Sequence, residues 1–199
     1  MHKENIDNLR KLFIGLDKKV NVDGKGRLIP INFDNAATTP PFKRVMKKVL
    51  ETSEYYGSIA RGDGKKSQYC SDLYDSSRKY ILEYFNAPED IYTAIFVGNT
   101  TDGLNKLSNI LIESKEDIVI TTRMEHHSND LPWRNKCDLK HVEVDKDGRI
   151  KVEDIEELLD KYQEKVKYVT VTGASNVTGY VNDIRRIAKA THRYGAKII

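Results

Sequence analysis

The sequence predicts an α/β protein with a mainly parallel sheet, because short β-branched runs alternate with amphipathic helical patterns from about residue 93 onward. Two further observations support this fold class: a Gly-rich turn joins the first run to its helix, and turn signals such as Asp147-Gly148 separate the later pairs. The predicted strands are 93–97, 117–122, 140–144, 168–172 and the opening of another at 196–199. The helices predicted between them are 101–113, 152–163 and 182–194, with a short one near 131–135.

The first 90 residues contain less alternation. Apolar residues at helical spacing predict an amphipathic helix over residues 3–18, which with the following extended stretch forms an N-terminal helix and arm, residues 1–30. A helix after Pro40-Pro41 is expected to bury Phe42, Val45, Met46, Val49 and Leu50. A glycine-rich loop and a long helix over about 66–85 follow, and residues 31–199 are predicted to be one domain portion.

Composition excludes several classes of protein. The chain has 199 residues, 39% of them hydrophobic and 32% charged, which is typical of a soluble globular protein. Its 33 basic and 30 acidic residues are scattered, so no nucleic-acid partner is expected, and no apolar run approaches the roughly 20 residues that a membrane helix needs. Cys70 and Cys137 lack metal-ligand spacing, so no metal site is expected. The N-terminus has no apolar signal core, and we expect a cytoplasmic protein.

The segment 93–105 carries the first candidate site. A β-branched run ends at Gly98, and Thr100 and Thr101 follow at the start of an apolar-spaced helix. The first N–H groups of a helix lack internal partners and its dipole favours anions, so this turn is typical of a phosphate-binding cradle. The alternative is that the two threonines only cap the helix.

Two later loops carry further candidates, because ligands bind at the carboxyl ends of strands in such sheets. His126 and His127 follow the strand 117–122, and a histidine there can stack on a flat cofactor or carry a proton. Adjacent histidines point in different directions, so we expect at most one to face a site; a solvated loop histidine is the alternative. Asn176 follows the strand 168–172 and offers a donor and an acceptor, with a turn asparagine as the alternative.

A dinucleotide-binding domain is the rival interpretation of such a fold. It requires a G-x-G-x-x-G pattern directly after the first strand. The nearest candidate, Gly62-x-Gly64, follows Gly57-Ser58-Ile59-Ala60-Arg61, which is not strand-like. This interpretation is therefore rejected.

Four segments in one order and spacing resemble the class V aminotransferases, and within them the cysteine desulfurase and selenocysteine lyase group. The segments are 34–40, 98–105, 125–133 and 175–179, and the resemblance covers about residues 31–199. It implies a fold-type I enzyme that uses pyridoxal 5′-phosphate (PLP), with a three-layer α/β/α large domain that is incomplete at the C-terminus here. Residues 31–199 would be the N-terminal part of that PLP-binding domain.

The resemblance also implies roles for individual residues. Thr100 and Thr101 match the phosphate-binding positions, and His126 matches the histidine that stacks on the pyridine ring. Asn176 matches the residue that hydrogen-bonds near the phenolic oxygen of the cofactor and the substrate carboxylate. A small amino-acid substrate, with cysteine desulfuration or a related β-lyase reaction, and a homodimer are further implications.

Two departures from the group qualify these expectations. Ala60 and Gly64 flank Arg61-Gly62 where the group often carries histidines. The identity of the substrate, cysteine, selenocysteine or another small amino acid, is therefore left open. No lysine of this sequence matches the Schiff-base lysine, and the family's pyridinium-binding aspartate and catalytic cysteine match no residue either. We therefore expect an N-terminal portion of a longer enzyme that is inactive by itself. The alternative is a non-catalytic remnant, or a split subunit completed by a second chain.

Overall fold

The computed structural model describes residues 8–60 and 62–199. Residues 1–7, the first part of the predicted N-terminal helix, and Arg61 lie outside the described residues. The chain forms two compact units that divide between Ile95 and Phe96.

The first unit consists of a small hairpin and two helices. Strands β1 (Val20–Val22) and β2 (Gly26–Leu28) pair antiparallel through a turn at Gly24, and helices α1 (Lys43–Ser53) and α2 (Lys65–Tyr84) follow. The predicted N-terminal helix does not reach residue 18. Residues 8–10 are helical, after which the chain turns, and the ring of Phe13 stacks on Phe42 with the ring centroids 4.4 Å apart.

Helix α1 forms where it was expected but does not bury its apolar side chains. None of its residues is buried, and Val45, Met46, Val49 and Leu50 are all exposed, Leu50 by 65%. Periodicity shows which residues share a face of a helix, whereas burial requires an element packed against that face. The expectation of burial was therefore wrong for the described part of the chain.

The second unit contains the sheet and its helices in alternation. In chain order its elements are α3 (Thr100–Leu111), β3 (Ile118–Thr122), α4 (His127–Asp130), a 3₁₀ turn (Leu131–Trp133), β4 (Asp138–Val142), α5 (Val152–Tyr162), a 3₁₀ turn (Gln163–Lys165), β5 (Val166–Val169), α6 (Ile184–Arg193) and β6 (Lys197–Ile198). The four strands are parallel in the order β4-β3-β5-β6. The predicted α/β alternation with a parallel sheet is confirmed.

Strand β3 lies inside the sheet and is buried on both faces. Ile118 and Ile120 pack with Ile155 and Leu159 of α5 and with Ile187 of α6 in one hydrophobic cluster. On the opposite face of the same strand, Val119 and Thr121 are also fully buried. A parallel strand covered on both faces is typical of a three-layer α/β/α arrangement, and it places the carboxyl end of β3 at a rigid point of the fold.

The predicted strand at 93–97 does not form. Residues 92–97 have no regular secondary structure, and Ile95 is 73% exposed. Arg78 of α2 donates from Nε to the carbonyl oxygen of Ala94 and from Nη2 to the hydroxyl of Thr93, at 2.8 and 2.7 Å. A β-branched run becomes a strand only when a neighbouring strand pairs with it, and no described strand does so here.

Candidate functional site

The carboxyl ends of β3 and β5 meet at one edge of the sheet, because the two strands are parallel neighbours. The loops that follow them enclose a pocket of about 320 Å³, lined by residues 123–127 and 175–178 and by Val144 and Gly148. Pockets of this size are typical of sites for small ligands. The structure thus brings the loop of His126 and the loop of Asn176 to a single pocket within the second unit.

His126 lines this pocket and also caps the helix that follows it. It precedes the first turn of α4, and its Nδ1 accepts a hydrogen bond from the backbone N–H of Ser128 at 3.1 Å, so its side chain caps the helix. Because a backbone N–H can only donate, Nδ1 is unprotonated and the proton of the neutral ring lies on Nε2. The ring remains exposed while its tautomer and orientation are set by this cap.

His127 lines the pocket as well, and the expectation that at most one of the two histidines faces a ligand stays a prediction. His126 has extended backbone as the cap residue, whereas His127 begins the helix, and their ring centroids lie 6.4 Å apart. The backbone conformation changes between the two residues, and both line the same open pocket.

Asn176 is exposed on the opposite wall of the pocket. The turn that contains it is held by the buried Ser175, whose Oγ accepts hydrogen bonds from the backbone N–H groups of Val177 and Thr178, both at 3.2 Å. The Asn176 side chain makes no hydrogen bond within residues 8–60 and 62–199. A turn asparagine would use its own side chain for the turn; here Ser175 does so, and the Asn176 side chain is not used to hold the turn.

Thr100 and Thr101 are the first two residues of α3, and both are exposed. The cap of this helix is Asn99, whose Oδ1 accepts a hydrogen bond from the backbone N–H of Asp102 at 2.9 Å. The alternative that the threonines serve only as helix caps is therefore not supported. Neither threonine lies on the pocket of His126 and Asn176.

A carboxylate lies beside this helix start. Asp102 forms an ion pair with Lys106, and its Oδ2 accepts a hydrogen bond from the backbone N–H of Gly98 at 3.1 Å. The hydrogen bond from Lys106, then that from Gly98, lowers the pKa of Asp102 below its ordinary value. Lys106 therefore offsets a charge that would otherwise oppose an anion at this turn.

Sequence reasoning missed the group that joins the two loops. Glu125 lines the pocket, and its carboxylate accepts a hydrogen bond from the backbone N–H of Thr172 at 2.9 Å, across 47 residues of the chain. The local signal was the Glu125–Asn129 spacing of four residues, which places two polar side chains on one side of a helical turn. The long-range contact itself is visible only in the folded chain.

Within the described parts of the chain, no group of three or more His, Cys, Asp or Glu side chains has the arrangement of a metal site. No described helix combines the length and the apolar character that crossing a bilayer requires.

The chain belongs to the class V aminotransferase family, because the family model described as Aminotransferase class-V matches residues 31–199. The chain is similar to a probable cysteine desulfurase of Borreliella burgdorferi, with 33% identity over 96% of this chain and 46% of the relative. A probable cysteine desulfurase of Halalkalibacterium halodurans is 32% identical over 96% of this chain and 47% of its own length. The chain thus spans about half the length of the curated relatives it matches.

Solved structures confirm the predicted fold class. The apo structure of a cysteine desulfurase from Thermococcus onnurineus NA1 superposes with a TM-score of 0.72 at 31% identity, covering 83% of this chain and 42% of that chain. The fold is therefore that of the PLP-dependent fold-type I cysteine desulfurases, present here over part of their length.

Proposed function

We propose that this chain supplies cofactor-binding residues of a PLP-dependent enzyme that removes sulfur from cysteine or acts on a related small amino acid. The meeting of His126 and Asn176 at one pocket carries the proposal, since both match cofactor-binding positions in the resemblance and lie at the ends of neighbouring parallel strands. The relatives and the solved structure named above support the desulfurase assignment.

The side chains present fit the chemistry of PLP, which offers a flat aromatic ring, a phenolic oxygen and an anionic phosphate. The exposed imidazole of His126 suits the ring face, and the Asn176 amide suits the phenolic oxygen. The hydroxyls of Thr100 and Thr101 at the N-terminus of a 12-residue helix suit the phosphate. When bound, PLP supplies the electron sink that stabilises negative charge on the substrate.

In that chemistry, the residues of this chain bind the cofactor and orient it. The hydrogen bond from the Ser128 N–H to Nδ1 holds the His126 ring and leaves the proton of the neutral ring on Nε2. The Ser175 turn presents the Asn176 amide without an internal competitor for its donor and acceptor. The His126 ring and the backbone turn that carries Asn176 are thus held before any ligand arrives, which lowers the cost of binding.

We further propose that the 199-residue chain holds the cofactor non-covalently and does not turn over substrate. In the described structure the pocket residues 123–127 and 175–178, with Val144 and Gly148, carry no primary amine that would bond to the aldehyde of PLP. The homodimer implied by the resemblance and the cytoplasmic location expected from the sequence stay predictions.

Titration with PLP tests the proposed function. Trp133 is the single tryptophan of the chain, and it is fully buried in the 3₁₀ turn that follows α4. Since PLP absorbs where tryptophan emits, binding quenches this emission. We expect His126→Ala to weaken PLP affinity about fivefold to tenfold, the loss of a stacking contact of about 1 to 1.4 kcal/mol.

The matched control is His192→Ala, which removes an exposed histidine at the end of α6 and is expected to leave the affinity unchanged. Equal affinities of wild-type protein and His126→Ala would show that His126 does not hold the cofactor. Absence of saturable quenching in the wild-type chain would contradict the proposed function as a whole.

A further inference from the structure

We propose that Glu125 is a positioning residue that fixes the loop of His126 against the loop of Asn176, and so sets the width of the PLP pocket. The role in cofactor binding rests on the proposed function. Glu125 directly precedes His126 in the chain, lines the same pocket and is half-buried. Its carboxylate contacts three separate segments of the second unit.

Each carboxylate oxygen of Glu125 is a hydrogen-bond acceptor. Oε1 accepts from the hydroxyl of Thr122 at 2.7 Å and from the backbone N–H of Thr172 at 2.9 Å. Oε2 accepts from Nδ2 of Asn129 at 2.7 Å. The carboxylate therefore joins the end of β3, helix α4 and the segment after β5.

The orientation of the Asn129 amide is determined by its other partners. Trp133 Nε1, which can only donate, lies 3.4 Å from Asn129 Oδ1, and the hydroxyl of Thr170 lies 2.6 Å from the same oxygen. Oδ1 must therefore be the acceptor, and the NH₂ group of Asn129 must face Glu125. Glu125 is thus required to offer acceptors on both oxygens.

The contact to Thr172 continues into the Asn176 loop. The carbonyl oxygen of Thr172 accepts a hydrogen bond from Nδ2 of Asn182 at 2.7 Å, and the hydroxyl of Thr172 donates to the carbonyl oxygen of Ala174 at 3.0 Å. Backbone positions from 172 to 174 are thereby tied down before the Ser175 turn begins. The bond between Glu125 and Thr172 thus helps to set the separation of the His126 loop from the Asn176 loop.

Replacing Glu125 by glutamine tests the requirement for two acceptor oxygens, because the side chain keeps its shape while one oxygen becomes an NH₂ donor. In Glu125→Gln the new NH₂ group would face either the Thr172 N–H or the Asn129 NH₂, and each choice sets two donors against each other. The compensating variant Glu125→Gln/Asn129→Asp restores the pairing and the net charge. In this double variant the introduced amide would donate to the introduced carboxylate, whose other oxygen would accept from Thr170 and Trp133 as the native Oδ1 does.

Three variants are compared by PLP titration of Trp133 fluorescence: Glu125→Gln, Glu125→Gln/Asn129→Asp, and the control Glu157→Gln on the exposed side of α5. We expect Glu125→Gln to weaken PLP affinity about tenfold, because a mispositioned pocket wall and an unpaired buried donor both act against binding. We expect the double variant to return to within about threefold of wild type, since the two changes are coupled. Glu157→Gln is expected to bind as wild type does.

A second readout needs no cofactor. Hydrogen exchange of the Thr172 backbone amide should accelerate in Glu125→Gln and slow again in the double variant. Unchanged exchange and affinity in Glu125→Gln, or a double variant no better than the single one in both, overturns the proposal. If Glu125→Gln and the double variant both unfold while Glu157→Gln folds, the second substitution has not restored the donor–acceptor pairing between positions 125 and 129. The proposal is then overturned as well.

The two readouts separate this proposal from the function on which it rests. If PLP does not quench the wild-type protein, the proposed function fails. The exchange rate of the Thr172 amide then still tests whether Glu125 joins the two loops. Exchange that is faster only in Glu125→Gln shows that it does, and equal exchange in all variants shows that it does not.

Discussion

At the scale of single residues, three of the candidate ligand-binding side chains have no capping role of their own, because a neighbouring side chain fills it. Ser175 holds the turn that contains Asn176, and Asn99 caps α3 in place of Thr100 and Thr101. His126 is the exception, since the nitrogen that caps α4 is one of its own ring atoms. Capping there fixes the ring and leaves the other nitrogen with the proton.

Cys137 illustrates the opposite case, a chemically capable group kept inert. Burial, with the nearby carboxylates of Asp138 and Asp117, raises the pKa of its thiol to about 11. A thiol with a raised pKa carries less thiolate at any pH below that value, and the thiolate is the reactive form. Cys137 is therefore poorly suited to act as a nucleophile.

We expect alkylation of Cys137 by iodoacetamide at pH 8 in the folded chain to be about a hundredfold slower than in the urea-unfolded chain, in line with the lowered thiolate fraction. The rate should rise steadily as the pH is raised toward 11. Peptide mapping by mass spectrometry identifies which cysteine has reacted. Equal rates in the folded and unfolded chains at pH 8 would show that the thiol is not suppressed.

At the scale of elements, helix α3 begins with a cap that does not use the threonine hydroxyls. Lys136 donates to the hydroxyl of Ser108 and to Oδ1 of Asn109 at 2.7 and 2.6 Å, which ties the other end of the helix to the segment after the 3₁₀ turn. An element anchored in this way presents its first turn in a fixed position. The helix start can therefore contribute to binding without first being ordered.

We expect the double substitution Thr100→Val/Thr101→Val to lower PLP affinity about tenfold, because two hydroxyl donors to the phosphate are lost while side-chain shape is kept. Affinity for pyridoxal, which lacks the phosphate, should be unchanged and serves as the control ligand. Both affinities are measured by Trp133 quenching. Equal losses for both ligands would mean that the threonines support the helix rather than the phosphate.

At the scale of the whole molecule, burial is distributed unevenly between the two units. Every residue of β3 in the second unit is buried, whereas no residue of α1 in the first unit is buried and Ile95 is exposed. The candidate pocket lies in the unit with the buried sheet, so the rigid part of the chain carries the groups that must be held in place.

The proposal that the chain binds PLP without turnover is tested at this scale. With cysteine and PLP present, we expect the 199-residue chain to release sulfide no faster than PLP alone, since the described pocket residues offer no primary amine to the cofactor. The measurement is the rate of sulfide release over several hours, determined with a colorimetric assay, with and without the chain. Release above the PLP control that is abolished by His126→Ala would contradict the proposal.

Much of the fold was predictable because its signals are local. The strands and helices from residue 100 onward follow from β-branched runs, helical spacing and turn residues, and the observed boundaries shift by only a few residues. The strand expected at 93–97 failed because pairing is not a local property, and the burial expected for α1 failed because a covering element is not one either. Asn99 and Ser175 were missed as the capping groups because several neighbouring polar residues offered the same chemistry.

The sequence by itself determined the α/β alternation, the loops at the strand ends and the polar side chains in them, because each depends on residue types at close spacing. Only the tertiary structure decided that His126, His127 and Asn176 share one pocket and that Glu125 joins its two walls. The physical reason is the directionality of hydrogen bonds: whether the Glu125 carboxylate meets the Thr172 N–H, 47 residues away, depends on the register of parallel strands.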